Sequence, residues 1–149
     1  MAISVKVVGG GTYSLEPPAT GQDLLEKVGA GCARKIVAWH VNRYLRPLDW
    51  TLREDSLVDF VDTSSFEGMS VYRDTLAFVL SLACRGALGE DVFVRHSISD
   101  GYYCELQSGP ARKERTDLVR EAMERIIRRD LPIKREVLSI DAAERILHL

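Results

Sequence analysis

The chain has 149 residues, 46% of them apolar and 28% charged, with a formal net charge of −2. That length accommodates one large domain or two small ones, and a charge so close to zero argues against a protein coated in nucleic acid. No apolar run approaches the ~20 residues that a membrane span requires, and no charged-then-apolar leader opens the chain.

The charge is uneven. Half of the 20 Lys and Arg lie in residues 112–149, where 10 basic residues face 8 acidic ones; that segment carries about +2 and the remainder about −4. Such a segment fits either a basic face or a solvated helix surface of mixed sign. The three cysteines, Cys32, Cys84 and Cys104, are far apart and form no CxxC or CxxH pair. A zinc knuckle or thioredoxin-type motif is thereby excluded, and a reducing, cytoplasmic setting is expected.

In chain order, Ile3-Ser4-Val5-Lys6-Val7 alternates as a half-buried strand does, Gly9-Gly10-Gly11 turns the chain, and Thr12–Leu15 returns as a hairpin partner. Pro17-Pro18 ends that strand. Thr20 and Asp23 form a capping-box pattern for a helix over Gly21–Val28, which buries Leu24, Leu25 and Val28 and stops at Gly29 and Gly31. Ile36–Val41 reads as a strand, Asn42-Arg43 as a turn, Tyr44–Arg46 as its return and Leu57–Val61 as a last strand. This order within about 60 residues predicts a β-grasp fold, a mixed sheet wrapped around one helix.

Thr63-Ser64-Ser65 with Gly68 is a polar break that separates domains at 1–63 and 69–149. A helix over Tyr72–Arg85 follows, apolar nearly all round and therefore expected to be buried, with Gly86 and Gly89 at its end. Val92–Ile98 and Tyr102–Leu106 flank Asp100-Gly101, a hairpin turn signal. Thr116-Asp117 opens a helix with an apolar stripe from Leu118 to Ile127 and supportive Glu121–Arg125 and Glu124–Arg128 pairs; Leu131-Pro132 closes it. Lys134–Leu138 is strand-like, and Ser139 caps a final helix through Leu147.

On Val41-Asn42-Arg43-Tyr44-Leu45, Leu48-Asp49 and the strand Leu57–Asp62, the first module resembles a TGS domain, the β-grasp module of threonyl-tRNA synthetases, some GTPases and alarmone synthetases. On Ile98-Ser99-Asp100-Gly101-Tyr102-Tyr103, Asp130-Leu131-Pro132, Arg135-Glu136 and Ala142-Ala143-Glu144, the remainder resembles the second additional domain that threonyl- and alanyl-tRNA synthetases share. The fold implied is α+β: a β-grasp, ubiquitin-like TGS domain followed by a small α+β editing-like domain, with the chain ending inside that second resemblance.

The family's editing domain carries a His-x-x-x-His pair on its first helix, and two imidazoles four apart face one way and can share a metal or a water. Asp74 and Phe78 stand at those positions here, and the family's later Cys-x-x-x-His would lie beyond Leu149. Phenylalanine neither binds a metal nor moves a proton. The spelling Arg95-His96-Ser97-Ile98-Ser99-Asp100-Gly101-Tyr102-Tyr103-Cys104-Glu105 is similar to the N-terminal region of uridine kinase-like proteins, in which these two domains precede a P-loop kinase domain. No GxxxxGK[ST] loop is present; Gly29–Lys35 lacks its second Gly and the Ser or Thr after Lys35. No cofactor is therefore expected in this chain, with ATP and Mg belonging only to a downstream kinase domain in cis.

The candidate site residues are Asp74, Arg95, His96, Ser97, Ser99, Asp100, Tyr102 and Cys104 around the hairpin, and Arg112, Lys113 and Arg115 for phosphates. His96 beside a carboxylate is a candidate general base facing Asp74; equally, His96 and its neighbours serve the hairpin backbone, and Asp74 serves as a helix N-cap. Only one of Tyr102 and Tyr103 can be core; the other packs at the edge of the hairpin or stacks on a base or sugar. His40 reads as an ordinary sheet residue. Two functions follow. One is a non-catalytic module that binds an RNA acceptor end or a nucleotide for an attached kinase domain. The other is an editing-type deacylase in which His96, Asp100 and Cys104 rebuild the site.

Overall fold

A computed structural model describes residues 1–29, 36–99, 101–133 and 136–147. The chain is α+β and divides into two compact units, Met1–Phe78 with Val94–Cys104, and Val79–Phe93 with Glu105–Leu149.

In the first unit, β1 (Ile3–Val7) pairs antiparallel with β2 (Thr12–Leu15) and parallel with β5 (Ser56–Asp62). β5 pairs antiparallel with β3 (Ile36–Val41), and β3 with the edge strand β4 (Tyr44–Arg46), giving the order β2-β1-β5-β3-β4. Alternation sorts the two faces. Ile3, Val5, Val7, Trp39, Val41 and Val58 are buried, whereas Ser4, Lys6, Leu57 and Asp59 are exposed. The inward face packs against Leu24 of α1 (Gly21–Val28). This is the β-grasp arrangement, and it meets the expectation strand by strand.

Local chemistry fixes the ends of these elements. Thr20 Oγ1 accepts the Asp23 N–H, and the Asp23 carboxylate accepts the Thr20 N–H at 2.7 Å, closing the capping box. Those bonds from Thr20 hold the Asp23 carboxyl below its usual range. Asn42 (φ 49) and Arg43 (φ 72) make the two-residue turn between β3 and β4, which requires left-handed backbone at both positions. Trp39 is fully buried, stacks on Phe60 at 6.4 Å, and donates from Nε1 to the Pro47 carbonyl at 2.9 Å. The stop expected at Gly31 lies outside the described residues.

The long helix departs from its expectation. α2 runs over Phe66–Leu88, six residues earlier than the apolar pattern begins. Ser65 starts it: its Oγ accepts the Gly68 N–H at 3.0 Å and its carbonyl accepts the Met69 N–H. The helix also runs through Gly86 and stops at Gly89, whose φ of +68° suits glycine. Nor is it buried all round. Val79, Ala83 and Cys84 are buried, while Tyr72, Phe78 and Leu82 stay about half exposed.

The second unit is small. Ala83, Cys84, Leu106, Val119 and Ala122 form its buried core. They come from α2, from β7 (Gly101–Leu106) of the β6–β7 hairpin, whose other strand is β6 (Val92–Ile98), and from α3 (Lys113–Arg128). α3 begins before the expected Thr116-Asp117; Thr116 Oγ1 donates instead to the Lys113 carbonyl at 2.8 Å. It ends at Arg128, ahead of Leu131-Pro132, with Asp130 in the left-handed region. Leu118 and Ile127 are half exposed, so only part of the apolar stripe packs. The Glu124–Arg128 pair forms at 2.8 Å and Glu121–Arg125 at 4.0 Å. Lys134 and Arg135 lie outside the described residues, and Glu136–Leu138 form no strand, contrary to the expectation. Among the described residues no neighbouring strand pairs with that stretch, and β propensity alone does not make a strand. Ser139 Oγ accepts the Ala142 N–H at 3.3 Å and caps α4 (Ile140–Leu147) as expected.

Two stability tests follow. A Cβ at Gly68 would overlap the Asp62 carbonyl, so Gly68→Ala is expected to lower unfolding stability by about 1–3 kcal/mol in a urea titration. Thr20→Ala is expected to cost about 1 kcal/mol at neutral pH. Because the folded carboxyl of Asp23 is depressed, its contribution is full above the ordinary carboxyl pKa, about 3.9, and fades as pH falls below it. The difference between wild type and Thr20→Ala should therefore shrink in acid.

Candidate functional site

The hairpin candidates separate onto two faces. Adjacent residues of a strand point oppositely, so Tyr102 and Tyr103 diverge. Tyr102 turns to α2, where its hydroxyl donates to Asp74 Oδ1 at 3.1 Å. Asp74 is the ninth residue of α2 and cannot be its N-cap; that role falls to Ser65. The bond to the Asp74 carboxylate, then burial, pushes the Tyr102 phenol above its ordinary pKa. It is therefore held as a proton donor and cannot serve as a base near neutral pH.

Cys104, on the same side of β7 as Tyr102, directs Sγ at the Tyr102 carbonyl, 3.8 Å away. Burial pushes its thiol upward, the opposite of what nucleophilic activation needs. His96 lies instead against Tyr103, with ring centroids 5.1 Å apart and planes inclined by 30°. The structure thus ties Tyr102 to Asp74, turns Cys104 to the Tyr102 main-chain carbonyl, and sends His96 to the other face. Arg95, Ser97 and Ser99 are exposed, with Ser99 (φ 50) at the turn; Asp100 lies outside the described residues. Phe78, one turn beyond Asp74, is half exposed. Among the described residues no three of His, Cys, Asp and Glu converge to hold a metal ion.

The basic run also divides. Arg115 pairs closely with Glu90, whose side chain is 12% exposed, and donates from Nη1 to Ser108 Oγ at 2.6 Å. Glu90 in turn accepts the Ser108 N–H at 2.9 Å. Arg115 is thus committed to structure. Arg112 and Lys113 are exposed at the N-terminus of α3. The helix dipole prefers carboxylates there, so two cations at that end are not placed for the stability of the helix.

One place escaped the sequence reading. On the outer face of the β-grasp sheet, Val8, His40, Arg43, Leu57, Val58 and Asp59 line a cleft of about 280 Å³. His40 Nε2 lies 3.0 Å from Glu67 Oε2 on the first turn of α2. The signal was the position of His40 in a strand whose neighbours Trp39 and Val41 are core, which sends His40 outward.

No family model matches the chain. A threonine--tRNA ligase of Desulforamulus reducens is 33% identical over 138 residues, 87% of this chain and 21% of the relative. That of Thiobacillus denitrificans is 27% identical over 146 residues, 97% of this chain and 23% of the relative. That of Rhodospirillum rubrum is 27% identical over 143 residues, 95% of this chain and 22% of the relative. The chain spans about a fifth of the length of the curated relatives it matches. Among the described residues no helix is long and apolar enough to cross a membrane. The chain is threonyl-tRNA synthetase-like, related along nearly its whole length to the N-terminal domains of that enzyme.

Proposed function

We propose that this chain is a recognition module, not catalytic by itself, that binds an RNA acceptor end or a nucleotide on behalf of a larger cytoplasmic protein. The observation that carries the reading is the similarity to threonine--tRNA ligases over 97% of the chain, coupled to the state of the helix that would carry the editing pair. At those positions Asp74 is tied to Tyr102 and Phe78 offers no ligand. The finer reading is a TGS-like domain at 1–63 and a second-additional-domain-like region at 69–149, placed ahead of a P-loop kinase domain as in uridine kinase-like proteins. ATP and Mg then belong to that domain, and this region presents substrate or senses RNA for it.

The anionic ligand meets the chain at the start of α3, through Arg112 and Lys113. A deacylase rebuilt on His96, Asp100 and Cys104 is the competing reading. The raised Cys104 thiol and the placement of His96 beside Tyr103 weigh against it.

The test is binding of labelled tRNA acceptor-stem RNA, and of uridine nucleotides, across a salt series. Replacing Arg112 and Lys113 together by Ala should weaken RNA binding and reduce the slope of log K against log salt by about 1–2. Salt-independent binding, an unchanged slope, or hydrolysis of aminoacyl-tRNA by the chain would overturn the reading. Arg115→Ala should behave differently. It leaves Glu90 without its cation and should lower unfolding stability by about 1–3 kcal/mol, read as a shift in the denaturation midpoint.

A further inference from the structure

Beyond the start of α3, the β3–β4 hairpin carries an unassigned cluster. Tyr44 is 67% exposed and Trp50 is 44% exposed, whereas Trp39 and Val41 of the adjoining β3 are buried. The Arg46 guanidinium lies over both, 4.3 Å from the Trp50 ring and 5.6 Å from the Tyr44 ring. Tyr44 and Arg46 are two apart on β4 and so share a side. Trp50 is folded back by the turn in which its N–H donates to the Pro47 carbonyl at 3.0 Å. That same carbonyl accepts the indole N–H of the buried Trp39 at 2.9 Å. The cluster is therefore mounted on the core and pre-shaped.

We propose that Tyr44, Arg46 and Trp50 form a stacking platform for an unpaired stretch of an RNA strand. Exposed aromatic faces beside a planar guanidinium are what a splayed base stacks on, and such stacking needs no particular sequence. Arg46, held against both rings, supplies a cation for an adjacent phosphodiester, while over residues 43–55 the three arginines are balanced by Asp49, Glu54 and Asp55. β4 spans only three residues, too short an edge to favour strand addition by a protein partner. The platform deepens the RNA reading above and rests on it, yet it uses residues that reading does not.

The test is fluorescence anisotropy of a labelled single-stranded oligoribonucleotide, with a blunt RNA duplex and uridine monophosphate as competitors. Tyr44→Ala and Trp50→Ala should each weaken binding about tenfold. Arg46→Lys, which keeps the charge and loses the plane, should weaken it as well. Thermal melts followed by circular dichroism certify that each variant is folded. Unchanged affinity in both aromatic variants overturns the platform, as does a duplex or a mononucleotide that competes as well as the single strand. If those variants bind normally while Arg112→Ala/Lys113→Ala does not, the platform falls and the RNA reading stands. If the aromatic variants fail and the α3 variant binds normally, the platform stands and the α3 contact falls.

Discussion

The parallel pairing of β1 with β5 is the constraint from which the first unit follows. Val5 meets Ser56 and Val7 meets Val58 across about fifty residues of chain. Parallel neighbours cannot be joined by a tight turn, so the intervening chain must cross over. Here it carries β2, α1 and the β3–β4 hairpin in that crossover. Closing so long a loop is entropically unfavourable and is offset by the contiguous core of Val5, Leu24, Trp39 and Val58. The Ser4 N–H, bonded to Asp55 Oδ1 at 2.8 Å, ties the two strands at their start. With the pair in place, one sheet face is packed by α1, the other stays open around His40, and β4 is left at the edge with its Tyr44 ring in solvent.

Polar contacts in this chain are used mainly to fix elements to one another. The Tyr102–Asp74 bond joins the hairpin to α2. Glu90, Ser108 and Arg115 form a second such knot, and His40 with Glu67 a third. Each spends a side chain that a list of reactive residue types would assign to chemistry. Arg112 and Lys113 and the rings around Arg46 stay exposed. The relation to the N-terminal domains of threonine--tRNA ligases extends over nearly the whole chain.

What was legible in the sequence was local and periodic. The alternation in Ile3–Val7, the capping box at Thr20 and Asp23, and the Asn42-Arg43 turn each depend on residues within a few positions of one another. The elements of the β-grasp sheet emerged from them with bounds correct to about one residue. Where periodicity was the only guide, bounds slipped. α2 begins at a Ser65 cap that lies outside its apolar pattern, and α3 begins without a side-chain cap. Burial of α2 was misjudged because an all-round apolar helix signals burial only if enough neighbours exist to cover it.

The sequence by itself determined the α+β class, the succession of elements in the first module and the relation to threonyl-tRNA synthetases, because each is written in spacing and in near-neighbour chemistry. Only the tertiary structure decided which reactive side chains meet. Asp74 and Tyr102 are 28 positions apart, and Glu90 and Arg115 are 25 apart. Such pairings depend on how a strand's parity falls against a helix face. One residue of register exchanges Tyr102 for Tyr103, and with it the partner of Asp74.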